Sequence, residues 1–381
     1  MRLPSVDVQL SGARFSVYYS IIANDTTEAA ERALGLAYEQ TVEFPGDLTP
    51  AGDILERIVG KVESVTKSGG KFLVQISYAD EVAGPDAVQF LNVVFGNSSI
   101  QSGIRVERFE LSSDMKRLKG PRFGRVGLRQ LLHVHKRPML CTAIKPMGYS
   151  PADLAQLTYK FALGGIDIIK DDHGLADQNF SNFKERVKRS SEAVLKANSK
   201  TGYKSIYMPN VTGPADQIVD RAKFAKEQGA GGLLFCPGLS GWDQMRVLAD
   251  DESIQLPIMS HPALIGSLTA SKENGFSHFA TYGQLQRLFG ADASVFPSWG
   301  GRFSFSKEEC LEIVDGTQTA MGTLKEIFPT PGGGMTLERI PEMSSVYGND
   351  VIYLIGGGLH RHSEDLVNNC QYFRELVEVM A

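Results

Sequence analysis

The stretch GGIDIIKDDH, residues 164–173, decides the fold prediction. Its apolar, β-branched centre predicts a strand that ends in a lysine, two aspartates and a histidine. Lys170 and Asp171 alternate in face along that strand, whereas Asp172 and His173 lie in the following turn. In a parallel barrel this end of a strand is where enzymes place their chemistry, so several of these side chains can converge on one ion. The alternative is that the aspartates cap the next helix.

After Gly120-Pro121 the sequence alternates between strand and helix patterns. Eight strand candidates in about 260 residues match the length of a (β/α)8 barrel. A doubly wound open sheet is the competing arrangement, but no GxGxxG follows a strand here. We therefore predict an α/β protein with a (β/α)8 TIM barrel over residues 119–381. The strand candidates are Met139–Ile144, Ile166–Ile169, Ser205–Met208, Gly232–Phe235, Leu256–Met259, Ala293–Phe296, Ile327–Pro329 and Val351–Ile355.

Residues 1–118 have a different, α+β pattern. Arg14–Ile22 alternates as a strand, and an amphipathic helix follows with one of its two leading threonines as N-cap. Two strands around a Ser-Gly-Gly turn and a second helix, Pro85–Val94, come next. This order predicts a ferredoxin-like domain of the β-α-β-β-α-β type.

Composition excludes several classes of protein. A net charge of −5 gives no electrostatic reason to bind nucleic acid. The four cysteines are widely separated, so the sequence indicates neither a disulfide framework nor a zinc site. No signal peptide opens the chain and no apolar run is long enough to span a membrane. We expect a cytoplasmic protein without membrane partners.

Other polar or glycine-rich positions follow the barrel strands. Lys145 follows the first strand, Asn210 the third and His261 the fifth. Glycine triplets follow the seventh and eighth strands, where backbone N–H groups free of Cβ atoms can close on a phosphate. A glycine triplet can also be a plain tight loop. The proposed phosphate-binding residues are Gly332, Gly333, Gly334, Gly356, Gly357 and Gly358.

Taken together, these motifs resemble the large subunit of RuBisCO. The matching segments are Gly120–Gly124, Thr142–Pro146 (TAIKP), Gly164–Asp172, Ser260-His261, Gly356–Gly358 and Phe95–Asn97. The resemblance implies a ferredoxin-like domain, a (β/α)8 barrel and a homodimer with active sites shared across the interface. It also implies that CO2 carbamylates Lys170. Asn97 matches a segment that reaches the partner's site, and Glu39 and Thr41 match another such segment more loosely.

Several positions depart from the family pattern. A second lysine is replaced by Met147, a metal-binding glutamate by His173 and an arginine by Pro262. The position of the family's sixth-strand histidine falls within Val295–Pro297, which contains no histidine. No lysine matches that of the mobile loop, and the seventh-strand serine is replaced within Pro331–Gly334. These groups would hold a second phosphate and handle CO2. The chain therefore resembles the non-carboxylating, type IV RuBisCO-like proteins.

The retained residues suit metal-assisted enolisation. Without modification, a lysine beside two carboxylates is only an ion pair. Carbamylated Lys170 and Asp172 together give the oxygen ligands that Mg2+ prefers. The ring nitrogen of His173 suits Mn2+, Fe2+ or Zn2+ better than Mg2+. The alternatives are that His173 carries a proton or has a structural role. Lys145 is a candidate base or acid, or else a counterion, and His261 is a candidate catalytic residue or a packing residue.

One phosphate site is kept and one is lost, so we expect a sugar substrate with a single phosphate. The leading hypothesis is an isomerase of a phosphorylated ketose such as 5-methylthioribulose 1-phosphate in methionine salvage. Its apolar end would fit Met147, Pro262 and Pro297, and Asn97 would bind a substrate hydroxyl. The alternatives are a decarboxylase of a 3-oxo sugar-acid phosphate, the enolase of methionine salvage and a non-enzymatic sensor or scaffold. The enolases carry a lysine at the position of Asn97, which counts against that reaction.

Overall fold

This computed structural model describes residues 3–115, 118–303 and 305–379. The strands are β1 (Arg14–Ile21), β2 (Lys61–Ser68), β3 (Lys71–Ala79), β4 (Ile104–Glu110), β5 (Met139–Ile144), β6 (Ile168–Asp171), β7 (Ile206–Met208), β8 (Leu233–Phe235), β9 (Ile258–Ser260), β10 (Gly275–Phe276), β11 (Ala293–Pro297), β12 (Phe328–Gly332) and β13 (Ile352–Leu354). The α-helices are α1 (Thr26–Glu39), α2 (Asp80–Ala83), α3 (Ala87–Phe95), α4 (Gly124–Leu132), α5 (Pro151–Leu163), α6 (Phe183–Thr201), α7 (Ile218–Glu227), α8 (Pro237–Ser240), α9 (Trp242–Asp250), α10 (Gly266–Thr269), α11 (Leu285–Leu288), α12 (Lys307–Gln318), α13 (Ile340–Tyr347), α14 (Gly357–His362) and α15 (Leu366–Glu378).

The chain divides into two compact units. The first comprises Met1–Lys119 together with two later segments, Ile265–Leu288 and Ala320–Leu324. The second comprises Gly120–Leu264, Phe289–Thr319 and Lys325–Ala381. In the described residues no helix is both long and apolar enough to cross a membrane. All four cysteines are buried free thiols.

The first unit has the predicted ferredoxin-like arrangement. Its sheet has the order β10-β4-β1-β3-β2, with β1 antiparallel to both β3 and β4. Helix α3 packs through Phe90, whose ring lies 4.9 Å from that of Phe15 and 5.3 Å from that of Phe109. The N-cap of α1 is Asp25, which accepts a hydrogen bond from the backbone N–H of Glu28, so the predicted threonine cap was wrong. An aspartate side chain competes well for this position because it accepts strongly from the first-turn amides.

The second unit is the (β/α)8 barrel. Its strands pair in parallel as β13-β5-β6-β7 and as β8-β9-β11-β12. A bridge between Asn210 and Leu234 joins β7 to β8, and β12 lies beside β13, so the ring closes. Strand β6 ends two residues later than predicted because Lys170 and Asp171 both continue the ladder with β5.

Every barrel strand contributes to one buried apolar cluster in the interior. Its members on the strands are Met139, Cys141, Ile168, Met208, Leu234, Met259, Ala293, Val295, Phe328 and Ile352. Because strand side chains alternate in face, the residue two positions beyond an interior residue also points inward. This alternation directs Lys170, two residues after Ile168, and His261, two residues after Met259, to the same side as the core. The interior is therefore apolar up to the strand ends and polar beyond them.

Candidate active site

Lys170 is a buried amine at the end of β6. The residue is 2% exposed, and its Nζ donates a hydrogen bond of 3.1 Å to the backbone carbonyl of Asp171. Burial lowers the pKa of this lysine, an effect that the nearby Cys141 and Asp172 oppose. A buried lysine with a lowered pKa has more of the neutral amine that reacts with an electrophile.

Asp172 forms a short ion pair with Lys145. Its Oδ2 lies 2.6 Å from Nζ of Lys145, and its Oδ1 accepts a hydrogen bond of 3.1 Å from the backbone N–H of Gly174. Burial alone would raise the pKa of Asp172, but the bonds to Lys145 and Gly174 outweigh it and lower the pKa to about 2. The carboxylate is therefore ionised at neutral pH and available as an anionic ligand.

His173 and His261 stack on each other at the mouth of the barrel. Their ring centroids are 4.1 Å apart and their planes differ by 12°. Burial and the neighbouring cations lower the pKa of His261 to about 2, and burial, opposed by Asp172, lowers that of His173. Nδ1 of His261 accepts a hydrogen bond of 3.2 Å from the backbone N–H of Ala263, so Nε2 carries the proton of the neutral ring.

Asp171 does not cap a helix, which contradicts the capping alternative for the aspartate pair. It is fully buried behind β6, where it accepts hydrogen bonds from Tyr207 (2.6 Å), Arg186 (3.1 Å) and the backbone of Asn210 (3.0 Å). The N-cap of α6 is Asn182 instead. The two aspartates therefore have different surroundings, because alternation sends Asp171 toward the helices and Asp172 toward the barrel mouth.

The two glycine triplets lie together at the barrel rim. A Cβ atom on Gly358 would be 2.6 Å from the carbonyl oxygen of Met335, so the segment after β13 packs against the segment after β12. A Cβ atom on Gly334, where φ is +102°, would be 2.9 Å from the side chain of Arg302. A Cβ atom on Gly356 would lie 3.7 Å from Cε of Lys145. The lysine that pairs with Asp172 is therefore adjacent to the second triplet.

Arg302 is a cation near this rim that the sequence motifs did not single out. It follows β11, and its backbone N–H donates a hydrogen bond of 2.8 Å to the carbonyl of Gly333. Its positive charge adds to the burial and the two lysines that lower the pKa of His173. The family pattern predicts a lysine in this loop. This chain has an arginine there instead, directly after a pair of glycines.

The three predicted residues of the N-terminal domain all lie in the first unit. Nδ2 of Asn97 donates a hydrogen bond of 3.1 Å to Oε1 of Glu39. The hydroxyl of Thr41 donates to the carbonyl of Ala37 within its own segment, at 2.7 Å. Asn97 and Glu39, 58 residues apart in sequence, thus form one polar pair.

The donors at the barrel mouth are consistent with a carbamate-dependent metal site. Within the part of the chain that the structure describes, no group of three histidine, cysteine, aspartate or glutamate side chains is arranged to hold a metal ion. Asp172 and His173 supply two donors, so a metal at this position needs a third ligand from another kind of group. The buried amine of Lys170 becomes such an anionic oxygen ligand once it is carbamylated.

Comparisons with known proteins agree with this architecture. The family described as ribulose bisphosphate carboxylase large chain, catalytic domain, matches residues 124–303. The RuBisCO-like protein from Rhodopseudomonas palustris, a solved structure, is 37% identical, with 96% of this chain and 98% of that chain covered and a TM-score of 0.86.

Several relatives carry names that state an activity. The 5-methylthioribulose-1-phosphate isomerase of Rhodospirillum rubrum is 37% identical over 86% of this chain and 87% of its own length. The 2,3-diketo-5-methylthiopentyl-1-phosphate enolase of Bacillus cytotoxicus is 34% identical over 81% of this chain and 75% of its own length. The chain belongs to the RuBisCO large-chain family. Within that family it is similar to the RuBisCO-like proteins, and some relatives are named as an isomerase or an enolase of methylthio-substituted five-carbon phosphates.

Proposed function

We propose that the chain is a metal-dependent isomerase that acts through an enediolate on a phosphorylated ketose, such as 5-methylthioribulose 1-phosphate in methionine salvage. The observation that carries the proposal is the cluster at the strand ends: the buried amine of Lys170 beside the 2.6 Å pair of Lys145 and Asp172. The name of the Rhodospirillum rubrum relative supports the choice of substrate.

The proposed metal ligands are a carbamate formed by CO2 on Nζ of Lys170, a carboxylate oxygen of Asp172 and a ring nitrogen of His173. Mg2+ fits the two oxygen donors, and the nitrogen of His173 admits Mn2+ or another divalent metal. When bound, the metal would polarise the substrate carbonyl and stabilise the enediolate that forms on loss of the α-proton.

Proton transfer is assigned to Nζ of Lys145, with His261 as a hydrogen-bond donor. Lys145 lies at the end of β5, between Asp172 and the second glycine triplet, so its nitrogen can reach a substrate anchored at either place. Deprotonated, it would take the α-proton, and the resulting ammonium would return it to the former carbonyl carbon. The adjacent hydroxyl would lose its proton to water, and the former carbonyl oxygen would take one up from water. Nε2 of neutral His261 would donate a hydrogen bond to a substrate oxygen and exchange no proton at neutral pH, because the pKa of His261 is about 2.

The substrate phosphate is assigned to the two glycine triplets, with Arg302 as the nearby cation. Adjacent backbone N–H groups can surround an anion where no Cβ atom intervenes. The opposite, apolar end of the substrate is assigned to Met147, Pro262 and Pro297, of which Met147 is 53% exposed at the mouth. We further propose a homodimer in which Asn97, Glu39 and Thr41 of one protomer complete the partner's site.

The enolase of methionine salvage is the second candidate, favoured by the name of the Bacillus cytotoxicus relative. It would use the same enolising residues on a diketone phosphate. Decarboxylation of a 3-oxo sugar-acid phosphate would pass through the same enediolate. These reactions differ in their substrates and in the step after enolisation, so the experiment must separate them by product.

The test is product analysis by NMR in deuterated water, with bicarbonate and either Mg2+ or Mn2+ present. With 5-methylthioribulose 1-phosphate we expect deuterium exchange at the α-carbon and a new isomeric pentose phosphate. Conversion of 2,3-diketo-5-methylthiopentyl 1-phosphate alone would establish the enolase instead, and loss of CO2 from a 3-oxo acid phosphate would establish the decarboxylase. Absence of exchange with all three substrates would refute the enediolate mechanism and favour a non-enzymatic role.

A further inference from the structure

The segment that joins β6 to α6 carries two of the three proposed metal ligands, Asp172 and His173, yet residues 172–177 form neither helix nor strand. Its backbone is nevertheless held by many hydrogen bonds. Four successive carbonyls, those of residues 173–176, each accept a hydrogen bond from a side chain. Backbone carbonyls of a surface loop are ordinarily satisfied by water, so this degree of side-chain bonding indicates a loop held in one conformation.

Asn210 supplies two of these four bonds from the end of β7. Its Nδ2 donates to the carbonyls of His173 and Leu175, at 3.0 Å each. Its Oδ1 accepts from the backbone N–H of Thr212 at 3.2 Å, and its own backbone N–H donates to Asp171. The residue is only 2% exposed. The amide nitrogen of one buried side chain thus bonds two carbonyls of the ligand segment, while its oxygen is fixed by the backbone of Thr212.

Two further side chains bond the remaining carbonyls. Nε2 of Gln178 donates to the carbonyl of Gly174 at 2.7 Å, and Nη2 of Arg186 donates to that of Ala176, also at 2.7 Å. Arg186 is fully buried and bonds Asp171 as well. The guanidinium therefore ties the end of β6 to the far end of the ligand segment.

We infer that Asn210 is a positioning residue of this enzyme: its amide sets the path of the backbone from Asp171 to Leu175 and so holds His173 and Asp172 in a geometry that binds a divalent metal. The inference rests on the metal site of the proposed function. Groups that orient metal ligands typically change metal affinity or activity by 10- to 100-fold when they are removed. A residue that only stabilises the fold would lower the melting temperature without changing metal affinity.

The experiment compares Asn210→Ala with a matched control, Asn198→Ala. Asn198 is also an asparagine whose amide clamps a loop: its Nδ2 and Oδ1 bond the carbonyl and N–H of Ser205, at 2.9 and 3.1 Å. That loop precedes β7, at the end of the barrel opposite the site. Mn2+ binding is measured by calorimetry in the presence of bicarbonate, carbamate formation by NMR with labelled CO2, and stability by thermal unfolding.

We expect Asn210→Ala to weaken Mn2+ binding by about tenfold or more. Asn198→Ala should lose as much melting temperature as Asn210→Ala but bind Mn2+ like the wild type. Gln178→Ala, a change at a less buried position, should weaken binding to a smaller extent and keeps the test decisive if Asn210→Ala does not fold. Wild-type affinity in Asn210→Ala, or in Gln178→Ala if Asn210→Ala does not fold, would overturn the inference. A wild-type protein that binds no Mn2+ and retains no CO2 would overturn the proposed metal site itself.

Discussion

At the scale of single residues, the environment of Lys170 favours the neutral form of its amine. Its amine is surrounded by protein and its pKa is lowered by burial, while Asp172, in the turn after the strand, keeps its charge because Lys145 pairs with it. Two lysines at adjacent strand ends thus have different roles in the proposed mechanism. The buried one becomes a ligand and the half-exposed one, Lys145, moves the proton.

Replacement of Lys170 tests this division. Lys170→Met keeps most of the buried volume and removes the amine, so we expect a folded protein without measurable turnover and without retained CO2. Activity is followed as deuterium exchange into the substrate, and folding by circular dichroism. Lys160→Met, at a lysine in α5, serves as the control. Full activity in Lys170→Met, or in wild type freed of both CO2 and divalent metal, would contradict the mechanism.

A second prediction at this scale concerns the residues that replace the anchors of a second phosphate. Pro262 and Pro297 offer neither a charge nor a backbone N–H, and Met147 is apolar. We therefore expect no carboxylation of ribulose 1,5-bisphosphate. The assay is incorporation of labelled bicarbonate into a three-carbon acid phosphate, with an authentic RuBisCO as positive control. Labelled product above background would show that a bisphosphate can bind without these anchors.

At the scale of elements, the opposite end of the barrel is organised by a buried carboxylate. Asp292, just before β11, accepts hydrogen bonds at its Oδ1 from the backbone N–H groups of Phe123 and Gly124, at 2.7 Å each, and at its Oδ2 from that of Ile258, at 2.9 Å. These contacts join the start of α4 to the start of β9. Burial raises the pKa of Asp292 to about 6, which the three amide donors partly oppose.

This arrangement predicts two different losses of stability. Asp292→Ala leaves three N–H groups without this acceptor, two of them buried and that of Phe123 partly buried, and should cost about 3 kcal/mol or more. Asp292→Asn can keep the oxygen that accepts from Phe123 and Gly124, so it should cost less, about 1–2 kcal/mol. Both are measured as free energies of unfolding in urea. Equal losses in the two variants would mean that the bonds to α4 contribute little.

Hydrophobic periodicity made the strands and helices predictable. It did not predict which groups the individual side chains bond or stack against. The β-branched run before Lys170 predicted a barrel strand, and alternation predicted that Lys170 and Asp171 lie on opposite faces of it. The partnership of Asp171 with Arg186 depends on which face of α6 meets the sheet, which a short motif does not determine. The stacking of His173 on His261 joins two positions far apart in sequence, and only the closed barrel brings them together.

At the scale of the whole molecule, the barrel supplies cations, carboxylates and glycine segments, but its mouth is also rich in exposed apolar side chains. Met147, Leu239 and Phe303, each in a segment that comes directly after a barrel strand, are 52–55% exposed. A partner protomer that covered these side chains would remove their apolar surface from water. This distribution supports the proposal that a second protomer contributes to closure over the substrate.

The dimer proposal predicts complementation between inactive variants. If Asn97 serves the partner's site, a hybrid of Asn97→Ala and Lys170→Ala subunits has one site with both lesions and one intact site. Random exchange makes about half of the dimers hybrid, so activity should recover to about a quarter of wild type, given a two-fold symmetric interface. Each variant incubated alone is the control, and subunit exchange is verified by native mass spectrometry. If the hybrids form and remain inactive, Asn97 serves the site of its own chain and the shared-site proposal is wrong.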